Sequence, residues 1–381
     1  MTKPAWEPHA RKLADQVAHP ASRWHGPLTT TPRHVFVPCW WARGKQEWEL
    51  SDGPTDPDTW MRAAYCDRTL VTRIGALHAD HAAPHQAADG LPTSSSTLPS
   101  LVVQMYRHAL IGDAHEVLDV ATGSGYGAAL LCRRLPERQV TTVDIDRYLT
   151  DAAAQRLDRV GLHPRVEARD ATGPLPGTYD RIVSMVSVSP LPASWLAALR
   201  PGGRLVTTLA RTSVIVVADK TDDGGAVGMT ARDWAGFMAT RDSDDYPPSL
   251  YTQLGDQVHE PGEHVSTGRY PVLRVDDAWE LRSMLEFTVP GTESAYQEGP
   301  DGQRTAWLVH PDGSWARACA HHFDNPTVHQ TGPRRLWDAL ERIRTRLNTA
   351  GGLPVYGVPL TITPDGTVHL KRGNWAATIG R

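Results

Sequence analysis

No apolar run in the 381 residues approaches the roughly 18 that a membrane-spanning helix requires, so no membrane partner is expected. The N-terminal stretch Met1-Thr-Lys-Pro-Ala-Trp-Glu7 has no signal-peptide core, which predicts a cytoplasmic protein. Cysteine is scarce: Cys39, Cys66, Cys132 and Cys319 stand far apart and form no C-x-x-C pair. Neither a structural zinc nor a disulfide scaffold is therefore indicated. A basic excess is missing as well. The net charge of −4 disfavours nucleic acid as a partner, because domains that bind polyanions are visibly basic. Internal repeats and low-complexity tracts are absent too. What is present is ordinary for a soluble protein, with 22% charged and 40% apolar residues. The length predicts two domains, each able to bury a core.

The stretch that organises the chain is Val117-Leu-Asp119-Val-Ala121-Thr122-Gly123-Ser124-Gly125-Tyr126. An apolar run ends in an acid, passes through a glycine-rich turn and opens an amphipathic helix. Glycines let backbone approach a ligand closely, and a helix start offers free N–H groups to polar ligand atoms. This predicts a nucleotide-type cofactor site at the carboxyl end of a parallel strand. The run Gly123 to Ala128 also fits a dinucleotide fingerprint, but Asp119 stands where a pyrophosphate would be repelled. Asp144 ends the next strand, suited to ribose hydroxyls, and Asp170 follows the third, suited to an adenine amino group. Three acids in register with one glycine loop outweigh the plainer reading that each caps or solvates a loop. They predict a cationic, phosphate-free cofactor, S-adenosyl-L-methionine.

The surrounding pattern alternates. Strands are predicted at 116–120, 140–143, 165–168, 179–186 and 204–209, with helices at 126–135, 148–160 and 193–199 between them. Such alternation means an α/β fold, a Rossmann-like doubly wound parallel sheet. Val214–Ala218 could continue the sheet, and Trp234–Met238 could cap it. Beyond about 242 the alternation is lost. Short apolar runs at 271–275, 306–310 and 315–320 are followed by one amphipathic helix striped by Leu336, Trp337, Leu340, Ile343 and Leu347, ending at Gly351. A hairpin at 355–371 follows, turning at Pro364-Asp-Gly366. The expected organisation is an N-terminal segment and substrate lid over 1–100, a methyltransferase core over 101–241 and an α+β accessory domain over 242–381, read as peptide-binding.

Together these segments resemble the protein-L-isoaspartate O-methyltransferase family. Pro32-Arg33-His34-Val-Phe36-Val37-Pro38 is similar to its "PRH-x-FVP" block, and Ala64-Tyr65-Cys-Asp67-Arg68-Thr-Leu70 to its "AY-x-D-x-x-L" block. Ser95-Ser96-Thr97-Leu98-Pro99 with Met105 is similar to its "T-I-S-x-P" signature, and the glycine loop to "LD-x-G-x-GSGY". Tyr179-Asp180 and Arg200-Pro201-Gly202-Gly203-Arg204 are similar to later blocks. The resemblance covers about 20–212 and implies a class I S-adenosyl-L-methionine-dependent methyltransferase. It implies Thr97 and Ser96 as the catalytic pair. Ser95, Asp119, Ala121, Thr122, Gly123, Ser124, Gly125, Tyr126, Asp144, Ile145, Asp170 and Ala171 form the implied cofactor set. Two departures stand out: Ala121 replaces a glycine, an exchange that a mild backbone adjustment is expected to absorb, and Thr97 replaces a serine. The insert at 75–92 and the long tail, with Tyr356-Gly357-Val358 and His369 to Trp375, resemble extended members that accompany ribosomal-peptide maturation. Those act on graspetides or lanthipeptides, which implies a modified ribosomal precursor peptide as partner and an aspartimide as the eventual product.

An aspartate of reference pKa near ~3.9 needs no general base at neutral pH, so Ser95, Ser96 and Thr97 are read as positioning donors rather than nucleophiles. Their plainer reading is an N-cap for the helix from Leu101. His78, His81 and His85 are read as a solvated loop and Cys319, His321 and His322 as incidental, so no metal is expected. Trp40 and Trp41 are read as core rather than a peptide grip. General isoaspartate repair and a non-catalytic cofactor-fold binding protein remain the rival readings.

Overall fold

The computed structural model describes residues 5–45, 47–241 and 243–380. Residues 1–4, which open the expected N-terminal segment and the stretch searched for a signal peptide, lie outside the described residues. So do Gln46, Asp242 and Arg381.

Val117–Val120 (β1) and Val140–Asp144 (β2) are buried almost throughout, as strands covered on both faces must be. With Arg165–Ala168 (β3), Tyr179–Val188 (β4) and Leu199–Leu209 (β5) they form a parallel sheet in the order β3-β2-β1-β4-β5. Four helices belong to this half: Pro99–His108 (α1), Tyr126–Arg134 (α2), Arg147–Asp158 (α3) and Ala193–Ala198 (α4). Asp146 caps α3 by accepting the N–H groups of Tyr148 and Leu149 at 2.9 and 3.4 Å. Strand order reverses between β1 and β4, which opens a crevice at the carboxyl ends.

Arg200-Pro201-Gly202-Gly203 lies within β5, not ahead of it as the sequence suggested. Val214–Lys220 (β6) and Ala226–Trp234 (β7) then continue the sheet antiparallel. Arg204 pins this joint, donating from Nε and Nη2 to the two Asp219 oxygens at 2.6 and 2.8 Å. Pro359–Ile362 (β8), Val368–Arg372 (β9) and Trp375–Ile379 (β10) extend the same sheet to ten strands. The boundary expected at 242 is corrected here, because the last three strands pair with the core.

Residues 264–331 supply a separate five-stranded antiparallel sheet. Two of the three predicted apolar runs fall in its strands, whereas 271–275 forms no strand. Helix Trp279–Thr288 (α5) was not anticipated, although Leu281, Met284 and Leu285 have helical spacing and are buried. Helix Leu336–Ala350 (α6) buries four of its five predicted stripe residues, with Leu347 half-buried, and stops at Gly351, which has φ 70°. Its Trp337 and Leu340 share one apolar cluster with Leu308 and Ala318 of the smaller sheet, with Leu360 and Ile362 of β8, and with Leu118 and Ile182 of the parallel half. Each such side chain contributes about 1.5–3 kcal/mol on burial, so the regions stabilise one another. Among the described residues no helix is long and apolar enough to cross a membrane.

The N-terminal part holds four short helices and a six-stranded antiparallel sheet. The insert at 75–92 is not loose: Leu77–His78 and Ala87–Ala88 both pair into that sheet. Ser95 and Ser96 lie in a strand, Pro92–Ser96, paired with Leu70–Ile74. The cap reading of this run is thereby corrected. The α1 N-cap is Leu98, which makes no side-chain cap, and Asp67 accepts the Ser100 N–H at 2.9 Å instead. Trp40 and Trp41 are buried.

Candidate active site

One cavity lies over the carboxyl ends of β1 to β4 and encloses about 1390 Å³ of space, open solvent included. Asp119 of β1 lines it with Ala121, Thr122, Gly123, Ser124 and Tyr126 beyond that strand, Asp144 ends β2 and is followed by Ile145, and Asp170 and Ala171 follow β3. Ser95, Ser96 and Thr97 enter from the N-terminal sheet. Gly125 is the one predicted residue that does not line it. It starts α2 at φ 88°, where a Cβ would stand 2.9 Å from that of Ala153. Ala121 has a left-handed backbone at φ 71°, a conformation that favours the glycine it replaces. An L-residue there costs about 1–2 kcal/mol.

The acids differ in environment. Asp119 is 1% exposed and accepts the Tyr106 and Thr142 hydroxyls, each at 3.1 Å. Burial pushes its carboxyl up to about 7, against the pull of those two hydrogen bonds. A cation beside it would restore the charge. Asp144 accepts the N–H groups of Gly123 and Asp146 at 3.0 and 3.1 Å, and burial raises it too. Asp170 is exposed, and its Oδ1 accepts both the N–H and the hydroxyl of Thr172, at 2.8 and 2.7 Å. It shapes its own loop while lining the cavity.

Arg33 fixes the signature run. Its buried guanidinium donates to the carbonyls of Ala64, Cys66, Arg68, Ser96 and Thr97, at 2.9 to 3.3 Å. Three chain segments are tied by one cation. Ser96 is 1% exposed, and its Oγ has no hydrogen-bond partner. A buried unpaired hydroxyl costs about 1–3 kcal/mol, so this one is available to a ligand in the cavity.

Of the three histidines read as a solvated loop, His81 and His85 are exposed and His78 is not. His78 is buried, with Nε2 3.0 Å from Asp146, while His81 packs its ring on Tyr148 at 4.1 Å. Among the described residues no three His, Cys, Asp or Glu side chains gather to hold a metal. Cys319 sits in the smaller sheet, where Gln303 and Thr305 donate to its sulfur at 3.2 and 3.4 Å.

Sequence reasoning missed the roof. Gly236 to Arg241 cover the cavity, held where the Ser187 N–H donates to Met238 at 2.8 Å and the Thr240 N–H to Ser187 at 2.9 Å. Trp234–Met238 was read as a cap, but Arg241 carried no signal. Trp195 was missed as well; it lines the wall and donates from Nε1 to the Ala171 carbonyl at 2.7 Å.

The donor set passes the test for a cationic nucleoside, since three carboxylates on the wall would repel a pyrophosphate. Fold and cavity together have the architecture of the class I S-adenosyl-L-methionine-dependent methyltransferases. Residues 76–239 match the family described as protein-L-isoaspartate(D-aspartate) O-methyltransferase. Protein-L-isoaspartate O-methyltransferase 2 of Rhodopseudomonas palustris (strain HaA2) is 33% identical over 159 residues, which are 40% of this chain and 71% of that protein. The chain belongs to this family. Protein-L-isoaspartate O-methyltransferase of Dinoroseobacter shibae is 36% identical over 132 residues, covering 33% of this chain and 60% of that enzyme. The chain thus spans 60% and 62% of the Dinoroseobacter and Cellvibrio japonicus relatives. A solved protein-L-isoaspartate O-methyltransferase structure aligns over 98% of this chain and 99% of its own, with TM-score 0.49 and 16% identity.

Proposed function

We propose that the protein is an S-adenosyl-L-methionine-dependent carboxyl O-methyltransferase acting on an aspartate of a modified, macrocyclic ribosomal peptide. One observation carries the reading: three strand-end carboxylates and the unpartnered Ser96 hydroxyl share a single cavity. In this reading Asp119 takes the cofactor's amino group, Asp144 its ribose hydroxyls and Asp170 its adenine amino group. The glycine loop admits the cofactor closely, and Ile145 and Ala171 flank the base. When bound, S-adenosyl-L-methionine supplies a methyl group on a sulfonium, and the acceptor oxygen bonds to that carbon as the carbon–sulfur pair returns to sulfur.

The protein's own part is alignment and exclusion of water. Ser96 and Thr97 orient the acceptor carboxylate by donating to it, on a wall held rigid by Arg33. The roof at 236–241 shields the reacting atoms, and alignment of this kind is worth up to ~7–11 kcal/mol. In the ester, the amide nitrogen of the next residue closes on the carbonyl, methoxide takes its proton, and methanol departs. The result is an aspartimide. The smaller sheet and α6, outside the family match, are read as the peptide-recognition surface.

General isoaspartate repair is the second reading, and the similarity of residues 76–239 to that family favours it. Tritiated cofactor offered with cyclised aspartyl, linear aspartyl and isoaspartyl peptides separates the two. Tailoring predicts transfer to the cyclised aspartyl peptide, a transient methylene gain in mass and a final loss of one water. Transfer to linear isoaspartyl peptides that equals or exceeds it replaces tailoring with repair. No transfer at all leaves the non-catalytic reading.

A further inference from the structure

The charges on the cavity wall are unevenly placed. Asp119, Asp144 and Asp170 are its acids, and Arg241 is its only basic side chain among the described residues. A carboxylate entering this cavity meets three groups of its own sign. It needs one cation that those acids have not already claimed.

Arg241 meets that need. It ends the roof segment, two residues beyond Ala239, which bridges to Ser187 of β4. Among the described residues no carboxylate lies within ion-pair distance of it, although its field pulls the Asp144 carboxyl downward across the cavity. The guanidinium rests against the Tyr246 ring, 5.7 Å from the centroid, and its Nε is buried with no hydrogen-bond partner. Tyr246 in turn donates to the Ala239 carbonyl at 3.3 Å, and Arg73 holds Asp244 at 2.8 Å, so Ala239, Asp244 and Tyr246 are each held in place. A half-buried guanidinium that lines the cavity and keeps its Nε unpaired is a carboxylate receptor, because its planar fork matches that anion.

We propose that Arg241 is the specificity residue that anchors the peptide's reacting carboxylate. The proposal rests on the carboxyl methyltransferase reading above and is indifferent to whether the peptide is tailored or repaired. The Arg241 fork holds the carboxylate, and a second lone pair on the reacting oxygen stays free to attack. It also biases the cycle forward. The methyl ester is neutral, loses the ion pair and departs, whereas the next carboxylate is retained.

The test uses the full chain, a peptide that the wild type methylates, and the carboxamide twin of that peptide as competitor. Arg241→Gln is expected to raise the peptide KM at least about tenfold, with S-adenosyl-L-methionine Kd held within about twofold. Wild type should bind the acid far better than the carboxamide, and Arg241→Gln should lose that preference. Arg241→Lys, which keeps charge but not the fork, should restore part of it. A merely structural role would not move the acid-to-amide ratio. An unchanged peptide KM and ratio overturns the anchor, as does a loss of cofactor affinity with peptide binding intact, since Arg241 would then serve Asp144. If the wild type transfers methyl to no carboxyl peptide, the methyltransferase reading fails first, which is a separable outcome.

Discussion

The parallel and antiparallel halves of the ten-stranded sheet divide the labour. The carboxyl ends of β1 to β3 present all three cavity acids, and the loop after β1 is left-handed at Ala121, Gly123 and Gly125. β6 to β10 contribute none of those acids. Their buried faces instead merge, through α5 and α6, into the core of the smaller sheet. Chemistry has been placed where dipoles, strand ends and strain converge, and apolar area where strands simply stack. The family match ends at 239, inside the roof, so the appended strands enlarge a core without rebuilding the site.

The comparison can be tested from the largest effect downward. Arg33→Gln should cost more than about 4 kcal/mol in denaturant titration, because five carbonyls from two segments lose their donor. A loss under about 1 kcal/mol would mean that the wall beside the parallel half does not hang on this cation. On the other side, Leu340→Ala should cost about 2–5 kcal/mol while the melt stays a single transition, since the core is continuous. Two separated transitions would show that the halves fold apart.

Smaller effects sharpen the chemistry. Asp144→Ala should weaken S-adenosyl-L-methionine binding by about 1.5–3 kcal/mol by calorimetry, as for a lost charged hydrogen bond. Unchanged affinity would remove Asp144 from the site. Asp119 makes that affinity depend on pH. Its carboxyl is raised from 3.8 to about 7, so the folded protein holds a proton that the unfolded chain has released. Its contribution to the free protein's stability therefore falls as pH rises from about 4 to 7. A cationic ligand reverses the preference by releasing that proton, so affinity should climb by up to about tenfold per unit below pH ~7 and then level off. A flat profile from pH ~5 to ~7 would contradict the pairing of Asp119 with a cation. Last, Ala121→Gly should stabilise by about 0.5–1 kcal/mol. Relief of left-handed strain is partly offset by the freer unfolded chain. Destabilisation would place a packing role on the Ala121 methyl.

Legibility in the sequence followed locality. The glycine loop, the acids and the five alternating strands were readable because each is specified by a few consecutive residues. Arg33 appeared only as part of a motif; its task of gathering the carbonyls of Ala64 to Thr97 is visible only when those segments meet. Ser95 and Ser96 read equally well as a cap, since their residue types favour both roles. The competition was decided by Asp67, which took the cap, and by pairing with Leu70–Ile74. His78 looked solvated in its polar insert, yet Asp146 lies across from it and makes it a buried partner.

The sequence by itself determined the cofactor end of this protein, because apolar periodicity and a glycine-rich turn encode a strand, a loop and a helix start without distant help. It did not determine which distant segments close that site or where the C-terminal strands attach. The Arg241 roof lies about 120 residues from Asp119, and β8 to β10 return to β7 after more than 120 residues of intervening chain. Backbone pairing carries no residue code strong enough to announce such partners. Only the tertiary structure decided them, through burial of one continuous apolar cluster that leaves those edges nowhere better to go.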